Sequence, residues 1–201
     1  NMDLKVMARM FYPVSDSSIA EMKRLMTLRR VAKGKCIVRQ GVVGREMFYV
    51  AEGLFRNYTT VDGEEHTQWF AQDGDFVMSM FSFSRDLPAV SSIEALTDAK
   101  VYVLSFEDAR RLIMTNDEWA RWTAIHLLDG LFVLERRNTF LRHGDALRRY
   151  CNFVRMRTAN TSNKIPLKYI ASYLNMTPPT LSRIRSKVAE SPGLVAGEPI
   201  P

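Results

Sequence analysis

Between residues 29 and 105, short apolar segments alternate with turns that contain glycine, and this alternation limits the folds open to the chain. The segments are residues 36–38, 47–50, 54–61, 67–70, 93–96 and 101–104. Asp62 and Gly63 separate two of them, and glycine readily adopts the positive φ angle of a hairpin turn. Many short strands at this spacing predict a sandwich, a jelly roll or a barrel.

A helix is predicted before the strands, over residues 16–28, where most apolar side chains have helical spacing. Asp16 or Ser17 is expected to cap its N-terminus. Its apolar positions are Ile19, Met22, Leu25, Met26 and Leu28.

A longer helix is predicted from Asp117 to about Leu141, where apolar residues follow an unbroken heptad pattern. The seam consists of Ala120, Ala124, Leu127, Leu131, Leu134, Asn138 and Leu141, and a second stripe consists of Trp122, Ile125, Leu128 and Phe132. A lone seam asparagine fixes register and partner number at some cost in stability. We expect one stripe to pack on the strand region while the seam meets a second copy of the helix. The alternative is that one monomer buries both stripes.

The excess of basic residues lies in the C-terminal part of the chain. Residues 126–201 contain 9 Arg and 3 Lys against 5 acidic residues, a net charge of +7, whereas residues 1–125 have a net charge of −1. A compact basic segment favours a polyanionic partner such as nucleic acid. A solvated, arginine-rich helix surface would have the same charge, so charge alone leaves both interpretations open.

Residues 167–188 have the pattern of a helix-turn-helix. In the first helix, Ala171 is small where two crossing helices must approach closely, and Asn175 tolerates the left-handed conformation that ends it. Thr177 can cap the second helix, and Pro178 suits its first position because no N–H bond is lost there. The sequence therefore predicts a short turn and a sharply started second helix.

A basic helix over residues 145–157 and a polar loop over 158–164 precede this motif. The inward side of the basic helix is predicted to consist of Leu147, Tyr150, Cys151, Phe153 and Val154.

The second helix of the motif, from Pro178 to Val188, has two distinct faces. At 100° per residue, its buried face consists of Leu181, Ile184 and Val188. The predicted DNA base contacts on the opposite face are Pro179, Ser182, Arg183 and Ser186, and the predicted phosphate contacts are Thr177, Thr180, Arg185 and Lys187. Arg183 can bind guanine O6 and N7 together. An ordinary helical hairpin with a solvated outer face is the alternative.

Other classes of protein find little support in the sequence. No apolar run approaches the ~20 residues of a membrane-spanning helix, and the start of the chain resembles no signal or transit peptide. Two cysteines, Cys36 and Cys151, are too few for a disulfide framework, so a reduced, cytoplasmic protein is expected. His66 is the one histidine in the strand region, and neither a nucleophile elbow nor a phosphate-binding glycine loop occurs. No metal, cofactor or catalytic residue is predicted.

The order of strand domain, seam helix and helix-turn-helix resembles the Crp/Fnr family of bacterial transcription regulators from about residue 15 to residue 188. The most specific matches are TPPTLSRI at residues 177–184 and the stretch 74–96. The resemblance implies an α+β chain with an N-terminal double-stranded β-helix, a jelly-roll-like domain of the cyclic nucleotide-binding type, at residues 1–116. It implies a dimerisation helix at 117–142 and a winged helix-turn-helix at 143–201. The wing is expected to be shortened and the tail flexible, because only residues 189–201 follow the second helix.

The same resemblance implies a homodimer that reads a palindromic promoter site in double-stranded DNA, with RNA polymerase as a partner. Ser182 and Arg183 match family positions that commonly contact bases. Pro179 stands where many members have a glutamate that contacts a base. The base contact that the family makes at that position is therefore not implied for this chain.

The ligand pocket also departs from the family pattern. Members that bind cyclic AMP have a Gly-Glu pair and an Arg-Ser pair, which bind the ribose hydroxyl and the cyclic phosphate. An ungapped alignment from Phe76 places Met78-Ser79 and Ala89-Val90 there, so both charges are missing and cyclic AMP is not expected to bind in this manner. The residues expected around an unknown effector are Met78, Ser79, Met80, Arg85, Ala89 and Val90. Family members with an iron–sulfur cluster bind it through several N-terminal cysteines. This chain has only Cys36 in that region, so such a cluster is not expected.

These observations predict a DNA-binding transcription regulator without enzymatic activity. One alternative is a ligand-sensing β-roll protein that acts through a protein partner rather than DNA. The other is a β-roll enzyme whose activity depends on an added metal.

Overall fold

The computed structural model describes residues 4–156 and 163–196. Its strands are β1 Thr27–Val31, β2 Cys36–Val38, β3 Glu46–Glu52, β4 Phe55–Val61, β5 Glu64–Ala71, β6 Phe76–Val77, β7 Ser92–Ala95 and β8 Ala99–Ser105. Its α-helices are α1 Leu4–Phe11, α2 Asp16–Leu25, α3 Met80–Arg85, α4 Phe106–Thr115, α5 Asp117–Arg142, α6 Ala146–Arg155, α7 Leu167–Tyr173 and α8 Pro178–Glu190. A 3-10 helix, Pro192–Val195, follows α8. Within these ranges no helix combines the length and apolar character that crossing a bilayer requires.

The chain divides into two compact units, Asn1–Leu128 and Asp129–Pro201. The boundary falls inside α5, which is continuous over the bounds predicted for the long helix.

The first unit is a β-roll of two four-stranded antiparallel sheets. The strand orders are β1-β8-β3-β6 and β2-β7-β4-β5. Each of the six apolar segments predicted as strands overlaps one of these strands, so the jelly-roll-like prediction is confirmed.

The hairpin between β4 and β5 has the predicted two-residue turn. Asp62 and Gly63 have φ angles of 51° and 83°, and Val61 pairs with Glu64 across the turn. Two consecutive positive φ angles match the right-handed twist of the strands that a tight hairpin joins.

Strand β3 lies between the two cores of the first unit, so both of its faces are buried. Phe48 and Val50 belong to the core between the two sheets, whereas Tyr49 and Ala51 belong to the core under the helices. A strand buried on both faces has a continuous apolar sequence rather than an alternating one, as residues 47–51 have.

Two tryptophans of α5 attach the start of this helix to the first unit. Trp119 Nε1 donates to the carbonyl of Ser18 at 3.2 Å, and Trp122 Nε1 donates to the carbonyl of Ala8 at 2.8 Å. Both rings are buried. Buried indoles with satisfied N–H groups contribute large apolar area without an unpaired polar group. Trp122 packs against Phe76 of β6, with ring centres 5.3 Å apart, so the predicted packing of its stripe on the strand region is confirmed at this residue. It is wrong for the other members of the stripe, which are exposed: Ile125, Leu128 and Phe132.

A buried arginine lies on the second sheet. Arg56 is 1% exposed, and its Nη2 is 2.6 Å from Glu65 and 3.0 Å from Glu94. Its guanidinium also lies 4.0 Å from the centre of the Tyr58 ring. Two carboxylates and an aromatic face compensate the cost of removing this cation from water.

The helix predicted over residues 16–28 begins at Asp16 as predicted, but its predicted N-cap and its predicted C-terminal end are wrong. Ser15, not Asp16 or Ser17, is the N-cap, since its hydroxyl accepts from the Ser18 amide at 3.3 Å. The helix ends at Leu25 because Met26 adopts an extended conformation, and Leu28 is an exposed residue of β1. The strand pairing of β1 with β8 outweighs the local helical spacing.

Among the described residues, six elements have no counterpart in the sequence predictions: α1, α3, α4, β1, β6 and the 3-10 helix. Two of them, α1 and α4, add Leu4, Ala8, Ala109 and Leu112 to the core under the helices. The two-residue strand β6 is too short to have a periodicity of its own.

In the second unit, α6 begins at the Asp145 cap, whose carboxylate accepts from the Arg148 amide at 2.8 Å. Cys151 and Phe153 are buried as predicted, and Leu147, Tyr150 and Val154 are half-buried. Arg157 and the loop residues up to 162 lie outside the described residues.

The expectation of a wing and a loose tail is corrected over the described part of the second unit. Residues 129–156 and 163–196 contain no strand, and α8 continues to Glu190. Arg155 Nη2 donates to the carbonyls of Leu194 and Ala196, at 2.9 and 3.1 Å. These charge-assisted bonds attach the 3-10 segment to α6.

The turn between β3 and β4 generates a prediction about stability. Gly53 has φ +129°, and a Cβ there would lie 2.5 Å from the Ala99 Cβ, whereas a Cβ on Gly63, with φ +83°, would meet nothing within 4 Å. We expect Gly63→Ala to lower the free energy of unfolding by about 1–2 kcal/mol through backbone strain alone. Gly53→Ala is expected to cost about 1–3 kcal/mol more, because overpacking is added. Urea denaturation followed by circular dichroism measures both; equal losses would contradict this assignment.

Candidate nucleic-acid interface

The turn between α7 and α8 has the predicted conformation. Asn175 has a φ of 51°, in the left-handed region, and its amide donates to the carbonyl of Ser172 at 3.1 Å. The next amide, of Met176, donates to the carbonyl of Ala171 at 3.0 Å. These bonds satisfy carbonyls at the end of α7 and end the helix at a left-handed residue.

Arg149 of α6 holds this turn from outside the motif. Its Nε donates to the carbonyl of Leu174 at 3.0 Å and its Nη2 to that of Asn175 at 3.3 Å. Its Nη1 donates to the carbonyl of Gly144 at 2.7 Å. Sequence reasoning counted Arg149 only as charge, and nothing in its spacing indicates this structural role.

The start of α8 is fixed by a hydroxyl cap and two prolines. Thr177 Oγ1 accepts from the Thr180 amide at 3.4 Å and lies 2.9 Å from Thr180 Oγ1. Pro178 and Pro179 occupy the first two helical positions, where an N–H would have no helical partner.

The two faces of α8 have the predicted environments. Leu181 is fully buried, and Ile184 and Val188 are half-buried. The four predicted base contacts lie together on the exposed face: Pro179, Ser182, Arg183 and Ser186. The Ser186 hydroxyl donates to the carbonyl of Ser182 at 3.4 Å, so it must rotate to reach another acceptor.

The predicted phosphate contacts lie beside this face. Thr177, Arg185 and Lys187 are exposed, and Thr180 is half-buried. Among the described residues, no carboxylate lies within ion-pair distance of Arg183, Arg185 or Lys187. Their charge is therefore available to an external anion.

Lys168 adds a cation that sequence reasoning did not select. It is exposed in the first turn of α7, and its Nζ lies 4.8 Å from the centre of the Tyr169 ring. Its basic charge is the signal that could have identified it. Residues 129–201 contain 9 Arg and 3 Lys against 5 acidic residues, so the second unit has an excess of basic residues.

The middle of α5 exposes large apolar side chains. Seam residues Leu127, Leu131 and Leu134 are 45%, 62% and 47% exposed, and Ala124 and Asn138 are exposed as well. Ile125, Leu128, Phe132 and Val133 of the same helix are also exposed. An apolar surface of this size on one helix is typical of a protein–protein contact.

The predicted seam is wrong at its C-terminal end. Leu141 is 5% exposed because its own chain buries it. Near this point the Asn152 amide of α6 donates to the carbonyl of Phe140 at 3.0 Å, which brings α6 against the end of α5. The exposed part of the seam therefore ends before Leu141.

The residues predicted around an effector have different environments. Ser79 is buried and caps α3 by accepting from the Ser82 amide at 3.2 Å, and Ala89 is buried in the core between the sheets. Met78 is half-buried, whereas Met80, Arg85 and Val90 are exposed. Arg85 therefore supplies no buried cation, and the role of these residues stays a prediction.

The cysteines and histidines form no metal site among the described residues, where no cluster of three candidate ligands occurs. Cys151 is buried, and burial raises the pKa of its thiol, which keeps it protonated at neutral pH. Burial and the neighbouring Cys36 raise the pKa of Tyr58, whose hydroxyl lies 3.9 Å from the Cys36 Sγ.

Solved structures share the fold of this chain. FixK2 from Bradyrhizobium japonicum is 18% identical, with a TM-score of 0.70, over 83% of this chain and 86% of that one. A CooA mutant from Carboxydothermus hydrogenoformans is 16% identical, with a TM-score of 0.68, over 84% and 78%. The c-di-GMP-responsive global regulator CLP from Xanthomonas campestris is 17% identical, with a TM-score of 0.68, over 89% and 93%.

The sequence comparisons match a smaller part of the chain than the structural comparisons do. No curated protein matches the chain. Residues 28–116 match the model of the cyclic nucleotide-binding domain, and this match ends one residue before α5 begins. The first unit therefore contains a β-roll of the cyclic nucleotide-binding type, in a chain that shares its fold with FixK2, CooA and CLP.

Proposed function

We propose that this protein is a homodimeric transcription regulator that binds a palindromic site in double-stranded DNA through the exposed face of α8. The observation that carries the proposal is the grouping of Pro179, Ser182, Arg183 and Ser186 on that face. The opposite face of α8 is anchored by the fully buried Leu181. The helix thus presents a base-reading surface from a rigid support.

Charge and geometry support this interface. The major groove of B-DNA is about 12 Å wide and admits an α-helix with its side chains. The forked guanidinium of Arg183 matches guanine O6 and N7, while Arg185 and Lys187 lie beside it for phosphate oxygens. Thr177 and Thr180 add hydroxyls at the helix N-terminus, where a phosphate is favoured.

Two-fold symmetry completes the proposed site. The exposed apolar residues of α5 from Ala124 to Leu134 require a cover, and a second copy of the same helix has the complementary pattern. A symmetric dimer places two copies of α8 on half-sites about 34–36 Å apart, one turn of DNA. RNA polymerase as a further partner is proposed on the family resemblance alone.

The β-roll is proposed to sense an effector other than cyclic AMP. CLP is c-di-GMP-responsive, but in this chain the positions aligned with the phosphate-binding pair are Ala89 and Val90, and the nearby Arg85 is exposed. A phosphodiester held there would have no buried cation to compensate its charge.

Arg183→Ala tests the base-reading surface. We expect the variant to lose its preference for the operator, because one bidentate guanine contact provides about 1–3 kcal/mol of discrimination, while weak, salt-sensitive binding persists. Purified protein first selects the operator from random duplexes, and fluorescence anisotropy then compares operator with random DNA.

Arg185→Ala is the matched control for Arg183→Ala. Because it removes a phosphate contact, it should weaken binding to both duplexes equally and lower the salt slope by about 1. Full discrimination by Arg183→Ala would mean that α8 does not read the bases.

Leu131→Glu tests the dimer. Since Leu131 is 62% exposed in the single chain, a charge there should leave the fold intact but convert the dimer to a monomer, as measured by light scattering after size exclusion. Met114→Glu on α4, where Met114 is 83% exposed, should leave the dimer unchanged. A wild-type protein that is monomeric at micromolar concentration would overturn the dimer.

Titration calorimetry with cyclic AMP tests the proposed pocket chemistry. We expect no binding heat, because the described pocket residues provide no buried cation for the cyclic phosphate. A micromolar dissociation constant would contradict the proposal.

A further inference from the structure

We infer that Pro179 recognises the C5-methyl group of a thymine close to the guanine bound by Arg183. The inference rests on the proposed function and assigns a sequence preference to one position of the same surface. It starts from the composition of the exposed face of α8: three of its four members have hydrogen-bonding side chains, and Pro179 has none.

Position places Pro179 near the base edges. It is the second residue of α8, and the N-terminal residues of a recognition helix are those that contact bases. Pro179 and Arg183 are four residues apart on one helical face, about 6 Å along the axis. Two side chains this close together on one face contact neighbouring base pairs of the same half-site.

Chemistry selects the base. In the major groove each base edge presents hydrogen-bond donors or acceptors, and thymine alone among the four DNA bases adds an apolar methyl group. A proline has neither an N–H nor a polar side chain. Against the edge of any other base, the Pro179 ring would displace water from a polar group without replacing the lost hydrogen bond. Against thymine, the methylene groups of the ring bury the C5-methyl group instead.

The ring of Pro179 is also held in place before DNA arrives. Its own φ is fixed by the pyrrolidine ring, and Thr177 and Pro178 define where α8 begins. Contact with the methyl group therefore requires no ordering of a flexible side chain. Because this entropic cost is absent, even a small apolar contact contributes to the binding free energy.

The test uses the full-length protein and the operator selected from random DNA. Each thymine of one half-site is replaced in turn by deoxyuridine, which removes only the C5-methyl group, and affinity is measured by fluorescence anisotropy at constant salt. We expect one replacement to weaken wild-type binding about fourfold, the effect of one buried methylene-sized group.

Pro179→Ser should bind the thymine and deoxyuridine operators equally, because it lacks the ring. Pro178→Ser, one position away and 100° around the helix, is the matched control and should retain the fourfold difference. Since the deoxyuridine change leaves the protein untouched, the measurement does not depend on how well a variant folds.

A second arm separates the methyl group from the identity of the base. At the same position, changing the T·A pair to C·G should weaken wild-type binding, and 5-methylcytosine should recover part of the loss for the wild type but not for Pro179→Ser.

The inference is overturned if no thymine shows a methyl-dependent affinity, or if Pro179→Ser shows the same dependence as the wild type. If the selection enriches no sequence at all, the proposed function itself fails, which is a different result.

Discussion

The packing of α7 against α8 is the constraint on which the exposed face of α8 depends. Ala171, Leu174 and Leu181 are completely buried, so the two helices meet with no room for rotation of α8. Asn175 in the left-handed region and the Arg149 guanidinium on two turn carbonyls set the angle between the helices. Which residues of α8 face outward is therefore decided by side chains that lie outside this exposed face.

Local signals made the turn between α7 and α8 predictable. A cap, two prolines and a left-handed asparagine act within a few residues, so Thr177, Pro178 and Asn175 indicate the turn without knowledge of the rest of the chain. The faces of α8 followed from helical periodicity, and its exposed side has the four predicted members. The Asp62–Gly63 hairpin was predictable for the same reason.

Features that depend on distant contacts were not predictable from the sequence. Leu28 continues a helical pattern but lies in β1, because it pairs with Tyr102 of β8, 74 residues later in the chain. Leu141 fits the heptad seam but is buried by its own chain. Arg56 has the sequence environment of a surface residue, yet Glu65 and Glu94 allow its burial. In each case tertiary pairing outweighs the local pattern.

The placement of the tryptophans has a spectroscopic consequence. All three, Trp69, Trp119 and Trp122, belong to the first unit, and the last two lie edge to face with ring centres 5.7 Å apart. Tryptophan emission therefore monitors the β-roll and the beginning of α5, while α8 has no indole of its own. A shift in that emission on addition of an oligonucleotide would therefore report, without a label, that binding to the second unit changes the conformation of the first.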